Sequence, residues 1–242
     1  PHFTRSRLPA PVNDAHGPAV NISGVASFGT ATFSPTARDL DLFEFADNFS
    51  HQRGAHSIKA GGDFLLNRVR VTFPGAVQGV YTFTSRAAFL AGSYGSFQQA
   101  FGEPTQLQSN PNLGWFVQDE WRPRADLTVN AGLRYDAQFL PDPIATDANN
   151  FAPRLGIAFA PGDGKTVVRA GFGLYFDRVP LPATSNALQR DGSKYRTAVL
   201  SFGQAGAPAF PGTLAAFPEG LLASVTTIDP DIENGYAVQA SF

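Results

Sequence analysis

The sequence contains no cysteine, no methionine and few charged residues. Without cysteine, the chain has neither a disulfide framework nor a cysteine-based zinc site. Charged residues make up 16% of the chain, against about 25% in an average soluble domain. Soluble proteins usually keep their surface wet with lysine, glutamate, arginine and aspartate. The thin charged coat therefore indicates that something other than water covers part of the surface, although soluble β proteins rich in glycine and proline also carry few charges.

Further absences narrow the possible partners. No window approaches the roughly 20 consecutive apolar residues of a membrane-spanning helix, so a membrane-embedded chain would have to cross with strands. The formal net charge is −2, without the basic excess that nucleic-acid binding requires, and we expect no nucleic-acid partner. The chain starts at Pro1 without a charged-then-apolar leader, from which we expect an internal piece of a longer polypeptide.

Segments of about ten residues in which apolar and polar residues alternate dominate the sequence. The clearest are 127–136, 151–160 and 166–177, where one face is apolar and the other mixes glycine, arginine and aspartate. A soluble sandwich buries its apolar face and covers the other with ordinary polar residues. A transmembrane barrel turns the apolar face toward lipid and the small or charged residues toward a wet interior. Glycine on the polar face favours the barrel, with the sandwich as the alternative.

Three more segments predict strands with less regular faces. In 40–50, three phenylalanines share a face with Asp47, and 56–73 is too long for one span, so its second half is expected to project beyond the membrane. Segment 113–121 carries a tryptophan near each end. Aromatic residues at such positions match the interfacial girdles of outer-membrane barrels, although a buried aromatic pair in a sandwich gives the same pattern.

Short and long connections alternate along the chain. Short turns are predicted at 51–55, 122–125 and 161–164, and long connections at 84–112, 140–150 and 178–234. In an up-and-down barrel every second connection emerges on the same side, and outer-membrane barrels have short periplasmic turns and long extracellular loops. Within the long connections, we expect one helical turn at 85–90 with Ser85 as its N-cap, and irregular structure at 205–220 because of its prolines.

Three stretches resemble barrel segments of TonB-dependent receptors, and more narrowly the large receptors with a carboxypeptidase-regulatory-like N-terminal domain. They are FADNFSHQRGAHSIKAGGDF (45–64), GWFVQDEWRPRADLTVNAGLRYD (114–136) and NFAPRLGIAFAPGDGKTVVRAGFGLYFDR (150–178). The shorter runs GVYTF (79–83) and TIDPDIENGY (227–236) also fit, so the resemblance covers about residues 40–236, with the loops unmatched. It implies a barrel of roughly 22 strands closed around a plug.

The chain departs from a complete receptor of that kind. At about ten residues a span, 242 residues hold about ten strands at most, and neither a plug nor an energy-coupling box is recognisable. We therefore expect residues 1–242 to be part of a single outer-membrane β-barrel domain, with the plug and N-terminal domain absent. The expected fold is all-β: an antiparallel transmembrane barrel, partial, with about eight to ten strands. The alternation in 236–242 predicts a last strand that ends in Phe242. It is either a terminal strand that carries an assembly signal for the insertion machinery or an ordinary strand cut short, and we favour the second because the family continues with further strands.

No catalytic residue, cofactor or metal is expected, and the chain is not expected to be an enzyme. The four histidines lie in N-terminal or turn contexts, without the three or four ligands of a zinc site. The PGDGK run at 161–165 lacks the first glycine of a phosphate loop and joins two strands. The carboxylates between Asp39 and Asp47 lack the glycine and terminal glutamate of a calcium loop.

The polar face of the strands carries the candidate binding residues: Arg134, Asp136, Arg154, Arg169 and Asp177. Charges inside a barrel pair across strands or contact the plug, because an unpaired charge in a dry site is costly. We expect these five to form structural arginine–carboxylate contacts rather than to bind substrate directly. The long loops are better candidates for ligand capture, since loops carry recognition on rigid scaffolds, and their aromatic residues are expected to be packing anchors.

The function expected from the resemblance is that of a barrel-wall portion of a receptor for energised uptake of a bulky nutrient, a siderophore or an oligomer. Its partners would be outer-membrane lipid, an unknown nutrient ligand, and a plug domain and a TonB-type energy-coupling protein outside this sequence. Its location would be the bacterial cell outer membrane. The alternatives are a passive porin-like channel and a soluble β-sandwich used for binding or adhesion. An upstream plug separates the first two, and detergent-dependent extraction separates both from the third.

Overall fold

The computed structural model describes residues 1–10, 17–33, 36–162 and 165–242. Within these residues the chain forms thirteen strands and two short helices. In chain order they are β1 (His2–Ala10), β2 (Ala19–Ile22), β3 (Ala26–Phe28), β4 (Thr36–Arg53), β5 (His56–Thr72), β6 (Val80–Phe83), α1 (Arg86–Leu90), β7 (Ser96–Gly102), β8 (Thr105–Arg124), β9 (Leu127–Gln138), β10 (Phe151–Phe159), β11 (Val168–Phe176), α2 (Leu181–Gln189), β12 (Tyr195–Leu200) and β13 (Tyr236–Ser241). In this described part, neither helix is long and apolar enough to cross a membrane.

Eight strands form one antiparallel sheet, the wall sheet, in the order β1-β4-β5-β8-β9-β10-β11-β13. Each strand turns back beside the previous wall strand, which is the up-and-down arrangement of a barrel wall. β1 and β13 lie at the two edges, and over the described residues the sheet does not close on itself. The expected partial, antiparallel barrel of about eight to ten strands is confirmed.

Short turns lie at one end of the wall sheet. β4 and β5 are joined by Gly54 and Ala55, with Gly54 at a φ of +58° that favours glycine. β8 and β9 are joined by two residues, Ala125 and Asp126. The strands therefore run further into the predicted turns 51–55 and 122–125 than expected. The third predicted turn, 161–164, includes residues 163 and 164, which lie outside the described residues.

Long connections leave the opposite end of the wall sheet, and they join β1 to β4, β5 to β8, β9 to β10 and β11 to β13. The alternation of short and long connections predicted from the sequence is thus confirmed. Successive antiparallel strands require it, because every second connection emerges on the same side of the sheet.

The two faces of the wall sheet differ in the way the alternation predicts. The apolar face is exposed: Ile157 is 42% exposed and Phe172 is 48% exposed. In a soluble sandwich these side chains would be buried against a second layer. Their exposure excludes the sandwich and leaves lipid to cover the face.

Both tryptophans lie on this apolar face. Trp115 stacks on Tyr135 with ring centroids 5.8 Å apart, and Tyr135 in turn contacts Phe151 at 4.8 Å. Trp121 lies near the short turns and stacks on His56 at 5.8 Å. The two tryptophans are about 20 Å apart along β8, which fits aromatic belts at the two edges of an apolar band.

The buried core of the chain lies in a second sheet, the outer sheet, with strand order β12-β7-β6-β2-β3. All five strands come from three of the long connections, and β2 pairs parallel with β6. Seven aromatic and aliphatic side chains form its core: Val20, Ile22, Tyr81, Phe83, Tyr94, Phe97 and Leu200. The long connections at one end of the wall sheet therefore pack against each other and bury a core of their own.

Several boundaries differ from the sequence prediction. β8 begins at Thr105, so residues 105–112 belong to a strand and not to the predicted connection 84–112. The predicted connection 178–234 contains α2 and β12, and β1 was not predicted at all. The predicted helical turn is confirmed, since the Ala88 amide donates to the Ser85 hydroxyl at 3.1 Å and caps α1. The predicted irregular segment 205–220 contains neither helix nor strand.

Candidate functional site

The polar face of the wall sheet is the candidate functional site. Four of the five predicted residues share this face: Arg134, Asp136, Arg154 and Arg169. The strand register pairs Arg154 with Gly132 of β9 and Gly173 of β11, and side chains two residues apart on a strand lie on the same face. Asp177 follows the last residue of β11. We call this side the lumen face, since a barrel turns its polar face inward.

Arg134 lies at the centre of an ion cluster on the lumen face. Its Nε and Nη2 atoms donate to the two carboxylate oxygens of Asp136 at 2.8 and 2.7 Å. Nη2 also donates to Asp63 of β5 at 3.1 Å. Two-pronged arginine–carboxylate contacts are stronger than single neutral hydrogen bonds and fix the orientation of the guanidinium. The cluster joins β9 to β5 across β8, which lies between them.

Gly114 makes the Asp63 contact possible. Register places Gly114 of β8 between Asp63 on one side and Asp136 on the other. A Cβ atom at position 114 would lie 2.6 Å from Arg134 Nη2 and 2.7 Å from Asp63 Oδ1. The missing side chain therefore leaves the space across which Arg134 reaches Asp63.

Arg154, Arg169 and Asp177 do not join this cluster in the described part of the chain. The Arg154 guanidinium lies over the Tyr175 ring, 4.5 Å from its centroid, in a cation–π contact. Arg169 lies opposite Ala158, at the short-turn end of the sheet. The Asp177 amide donates to Gly235 at 2.8 Å, beside the start of β13.

Glycines form a shallow trough on the lumen face beside Arg154. Gly156 pairs with Gly171, and Arg154 lies between Gly132 and Gly173. The trough belongs to an open concavity of about 720 Å³ whose lining also includes Gln118, Asn130, Gln239 and Ser241. The Tyr175 ring lies over Gly173, so the open floor of the trough is the Gly156–Gly171 pair, where another chain or a ligand can approach the backbone closely.

The mouth of the lumen face is covered by α2. Gln108 of β8 donates to the Thr184 hydroxyl at 2.7 Å and accepts from the Ser185 hydroxyl at 2.6 Å. Gln189 at the end of α2 donates to the Phe73 and Pro104 carbonyls at 3.1 and 2.5 Å. These contacts satisfy polar groups that are buried beneath the helix. They hold the long connection 177–235 against the wall.

A partly apolar cavity of about 330 Å³ lies between α2 and the strands beneath it. Its lining joins aliphatic residues of the wall and the helix with glutamines and an arginine: Arg38, Leu40, Val69, Val71, Gln106, Gln108, Leu181 and Gln189. Apolar walls with a few polar groups are the usual composition of a small-molecule pocket. Sequence reasoning missed this cavity because α2 was not predicted.

The aromatic residues of the loops that sequence reasoning considered for ligand capture lie mostly in the outer sheet. Tyr94, Phe97 and Tyr195 are buried there. The Tyr81 and Tyr94 hydroxyls donate to the Gly212 and Pro208 carbonyls at 2.5 and 2.7 Å, so the segment 205–220 packs over the core. Burial raises the pKa of Tyr81 and the pKa of Tyr195 to about 12 each. These residues are packing anchors.

Comparison with known proteins agrees with this geometry. The family model described as outer membrane beta barrel domain matches residues 5–143 and 140–242. The TonB-dependent transporter Oar of Myxococcus xanthus is 33% identical over 78 residues, which is 30% of this chain and 7% of that relative. The match thus covers a small part of the relative's length. No solved structure matches the chain.

The matched family model covers almost all of the chain, and the open wall with its exposed apolar face has the geometry that such a family requires. The short turns then face the periplasm and the long connections face the cell exterior. The chain belongs to the outer membrane β-barrel domain family, and its location is the bacterial outer membrane.

Proposed function

We propose that the chain is a barrel-wall portion of a TonB-dependent receptor that takes up a bulky nutrient, a siderophore or an oligomer, across the outer membrane. The observation that carries the proposal is the likeness of 78 residues to a transporter named as TonB-dependent. In this proposal the chain catalyses no reaction and needs no cofactor. Its partners are outer-membrane lipid, the nutrient, and a plug domain and a TonB-type energy-coupling protein outside this sequence.

The lumen face supports the proposal because it suits contact with a plug. The glycine trough allows another backbone to approach closely. The cluster around Arg134 holds one guanidinium and two carboxylates, so it keeps a net charge of −1 that a basic side chain of a plug would pair. α2 packs on Gln108 at the end of the wall sheet from which the long connections leave, where a nutrient would first be held.

A passive channel is the alternative that an experiment has to exclude. A polar, glycine-rich lumen face could also line water. The intact protein should be inserted into planar lipid bilayers, and its ion conductance should be measured before and after urea is used to displace a plug. The proposal predicts no steady conductance before urea and an open channel after it. Steady conductance of the untreated protein would contradict a plugged receptor and favour a porin-like channel.

Energy dependence gives a second test in living cells. Cells that express the intact protein would be given a panel of siderophores and oligosaccharides, and uptake would be compared with and without the energy-coupling protein. Uptake that stops when the coupling protein is deleted supports the proposal. Uptake that continues unchanged without it contradicts energised transport.

A further inference from the structure

Two rows of charged side chains cross the apolar face of the wall sheet near its outer end. Register places Arg5 of β1, Asp41 of β4 and Arg68 of β5 in one row. Arg7, Asp39 and Arg70 form the next row, two residues further toward the long connections. Each row has the order arginine, aspartate, arginine. These six residues are the arginine rows, and they share the parity of Phe3, Phe43 and Phe45.

The arginine rows carry a net charge of +2, from four arginines and two aspartates. Arg5 is paired: its Nε and Nη2 atoms donate to the Asp41 carboxylate at 2.6 and 2.8 Å. Over the described residues, Arg7, Arg68 and Arg70 form no ion pair. Each row therefore keeps a net charge of +1 for an external partner.

The arginine rows begin directly above the apolar band. Phe3 and Phe43 contact each other with ring centroids 4.8 Å apart. Arg5 lies over the Phe3 ring at 5.7 Å, and Arg68 lies over the Phe43 ring at 5.8 Å. Aromatic residues mark the membrane–water interface of outer-membrane barrels. The arginines therefore lie at the level of lipid headgroups, on the side of the long connections.

The space between the rows has room for a ligand. The six charged residues, together with Leu107 and Ser109 of β8, line an open concavity of about 490 Å³. The arginine guanidinium presents a planar fork of donors that matches phosphate oxygens. An apolar band directly below it accommodates acyl chains. A molecule with phosphate groups and acyl chains fits both parts at once.

We infer that the arginine rows bind the phosphate groups of a phosphorylated lipid in the outer leaflet of the outer membrane, with its acyl chains along Phe3, Phe43 and the apolar band. The lipid would fix the protein in its leaflet and hold the extended ends of β1, β4 and β5. This inference goes beyond nutrient uptake and stands whichever transport mechanism the chain serves.

The competing explanation is a ladder of charges that only stabilises the sheet. Asp39 separates the two possibilities. Over the described residues it forms no ion pair, and its substitution Asp39→Asn raises the net charge of the rows from +2 to +3. If the rows are a lipid-phosphate site, the protein should bind the lipid more tightly after this change. If they are only a stabilising ladder, the change should destabilise the sheet and should not strengthen lipid binding.

The test uses the intact protein in detergent, titrated with a bisphosphorylated lipid A, with the same lipid after removal of both phosphates, and with inorganic phosphate alone. The double variant Arg68→Gln/Arg70→Gln removes two charges from the rows. Its matched control, Arg122→Gln/Arg124→Gln, removes two charges near the short turns at the opposite edge of the band. Binding is measured by native mass spectrometry, which also reports whether each variant is folded.

We expect the bisphosphorylated lipid to bind the unaltered protein and the Arg122/Arg124 control equally. The Arg68/Arg70 variant should bind it about tenfold or more weakly, since it loses charge-assisted hydrogen bonds, and Asp39→Asn should bind it more tightly. Removal of the phosphates should abolish the difference between variants. Equal binding by the Arg68/Arg70 variant, weaker binding by Asp39→Asn, or binding of inorganic phosphate as tight as that of the lipid would overturn the inference. If the double variant does not fold, Asp39→Asn alone decides.

Discussion

The wall sheet and the outer sheet treat their apolar side chains in opposite ways. In the wall sheet, Leu155 and Phe172 are 50% and 48% exposed, although they lie in regular strands. In the outer sheet, Tyr81, Phe83 and Phe97 are 0% exposed. Both sheets belong to one short chain of ordinary apolar content. The difference lies in the solvent each one meets.

The outer sheet behaves as a small soluble fold, because its stability comes from apolar area removed from water inside the chain. Over its described residues the wall sheet has no such core, and its strands are held by backbone pairing, by cross-strand aromatic contacts and by clusters such as Arg134 with Asp63 and Asp136. Its apolar face gains its partner only in the bilayer. The stability of the outer sheet should therefore be sensitive to mutations that remove buried volume. The stability of the wall sheet should be sensitive to mutations that add charge to its apolar face.

The largest effect is expected from Tyr81→Ala in the outer sheet. Its ring contacts Tyr94, Phe97 and Phe210, and its hydroxyl donates to Gly212 at 2.5 Å. Removing a buried aromatic side chain should lower the free energy of unfolding of the outer sheet by about 3–5 kcal/mol. Limited proteolysis of the intact protein in increasing urea measures this loss.

The control for Tyr81→Ala is Leu222→Ala, since Leu222 is 91% exposed. It should leave the urea midpoint almost unchanged, and the wall sheet should resist protease in both variants. If Tyr81→Ala had no more effect than Leu222→Ala, the buried core would not be what stabilises the outer sheet.

The next effect is expected from Leu155→Arg on the apolar face of the wall sheet. Leu155 lies opposite Ala131 and Phe172, in the middle of the band. An arginine on the lipid face near the bilayer midplane should cost about 2–4 kcal/mol of folding free energy in vesicles. Asn130→Arg, one residue from Ala131 on the lumen face, is the matched control and should cost much less. Urea-induced unfolding in lipid vesicles compares the two, and equal losses would remove the distinction between the faces.

A smaller effect is expected from Gly114→Val. The added side chain would meet Arg134 and Asp63 and separate their hydrogen bond. A partly buried charge that loses one partner should cost about 1–3 kcal/mol of folding free energy. Gly62→Val is the matched control on the neighbouring strand, because its Cβ would meet only the Gly114 carbonyl, at 3.4 Å. A loss in Gly62→Val as large as that in Gly114→Val, in the same vesicle assay, would contradict the role given to Gly114.

The smallest effect is expected from alkaline pH, which should lower the free energy of unfolding of the outer sheet. Burial raises the pKa of Tyr81 and Tyr195 to about 12, from about 10 in an unfolded chain. Between these values the folded state keeps protons that the unfolded state releases, so stability is complete below about pH 10 and falls as pH rises toward 12. Tyrosinate absorbance followed together with protease resistance measures the loss. The double variant Tyr81→Phe/Tyr195→Phe should reduce this alkaline fall and leave the contribution of Tyr94, whose pKa burial also raises. An unchanged fall would assign it to other groups.

The wall strands could be predicted from the sequence where the alternation is clean. Segments 127–136 and 151–160 correspond to β9 (Leu127–Gln138) and β10 (Phe151–Phe159). β1 was not predicted because its outward face carries Arg5 and Arg7, which break the apolar pattern. The first part of β8 was not predicted because Asn110, Pro111 and Asn112 are typical of loops. In the structure β8 begins at Thr105 and pairs with β5 over this part.

The candidate site was only half accessible to sequence reasoning. Arg134 and Asp136 are two residues apart, so a period of two already places them on one face. Asp63 and Gly114 could not be assigned to the same cluster, because that requires the register of two neighbouring strands, which one strand's pattern does not contain. Likewise α2 begins with prolines and is short, so only its packing on Gln108 explains why it forms.

The central claim is that the apolar side chains of the wall sheet face hydrocarbon. Because the chain contains no cysteine, single cysteines at positions 154–159 can each carry a spin label in the intact protein in vesicles. The account predicts that labels at 155 and 157 collide with oxygen dissolved in the bilayer, while those at 156 and 158, which face the interior of the barrel, are far less accessible to that oxygen. Labels at 155 and 157 that neither oxygen nor a water-soluble nickel reagent reaches would mean that these side chains are packed inside protein, and would contradict the account.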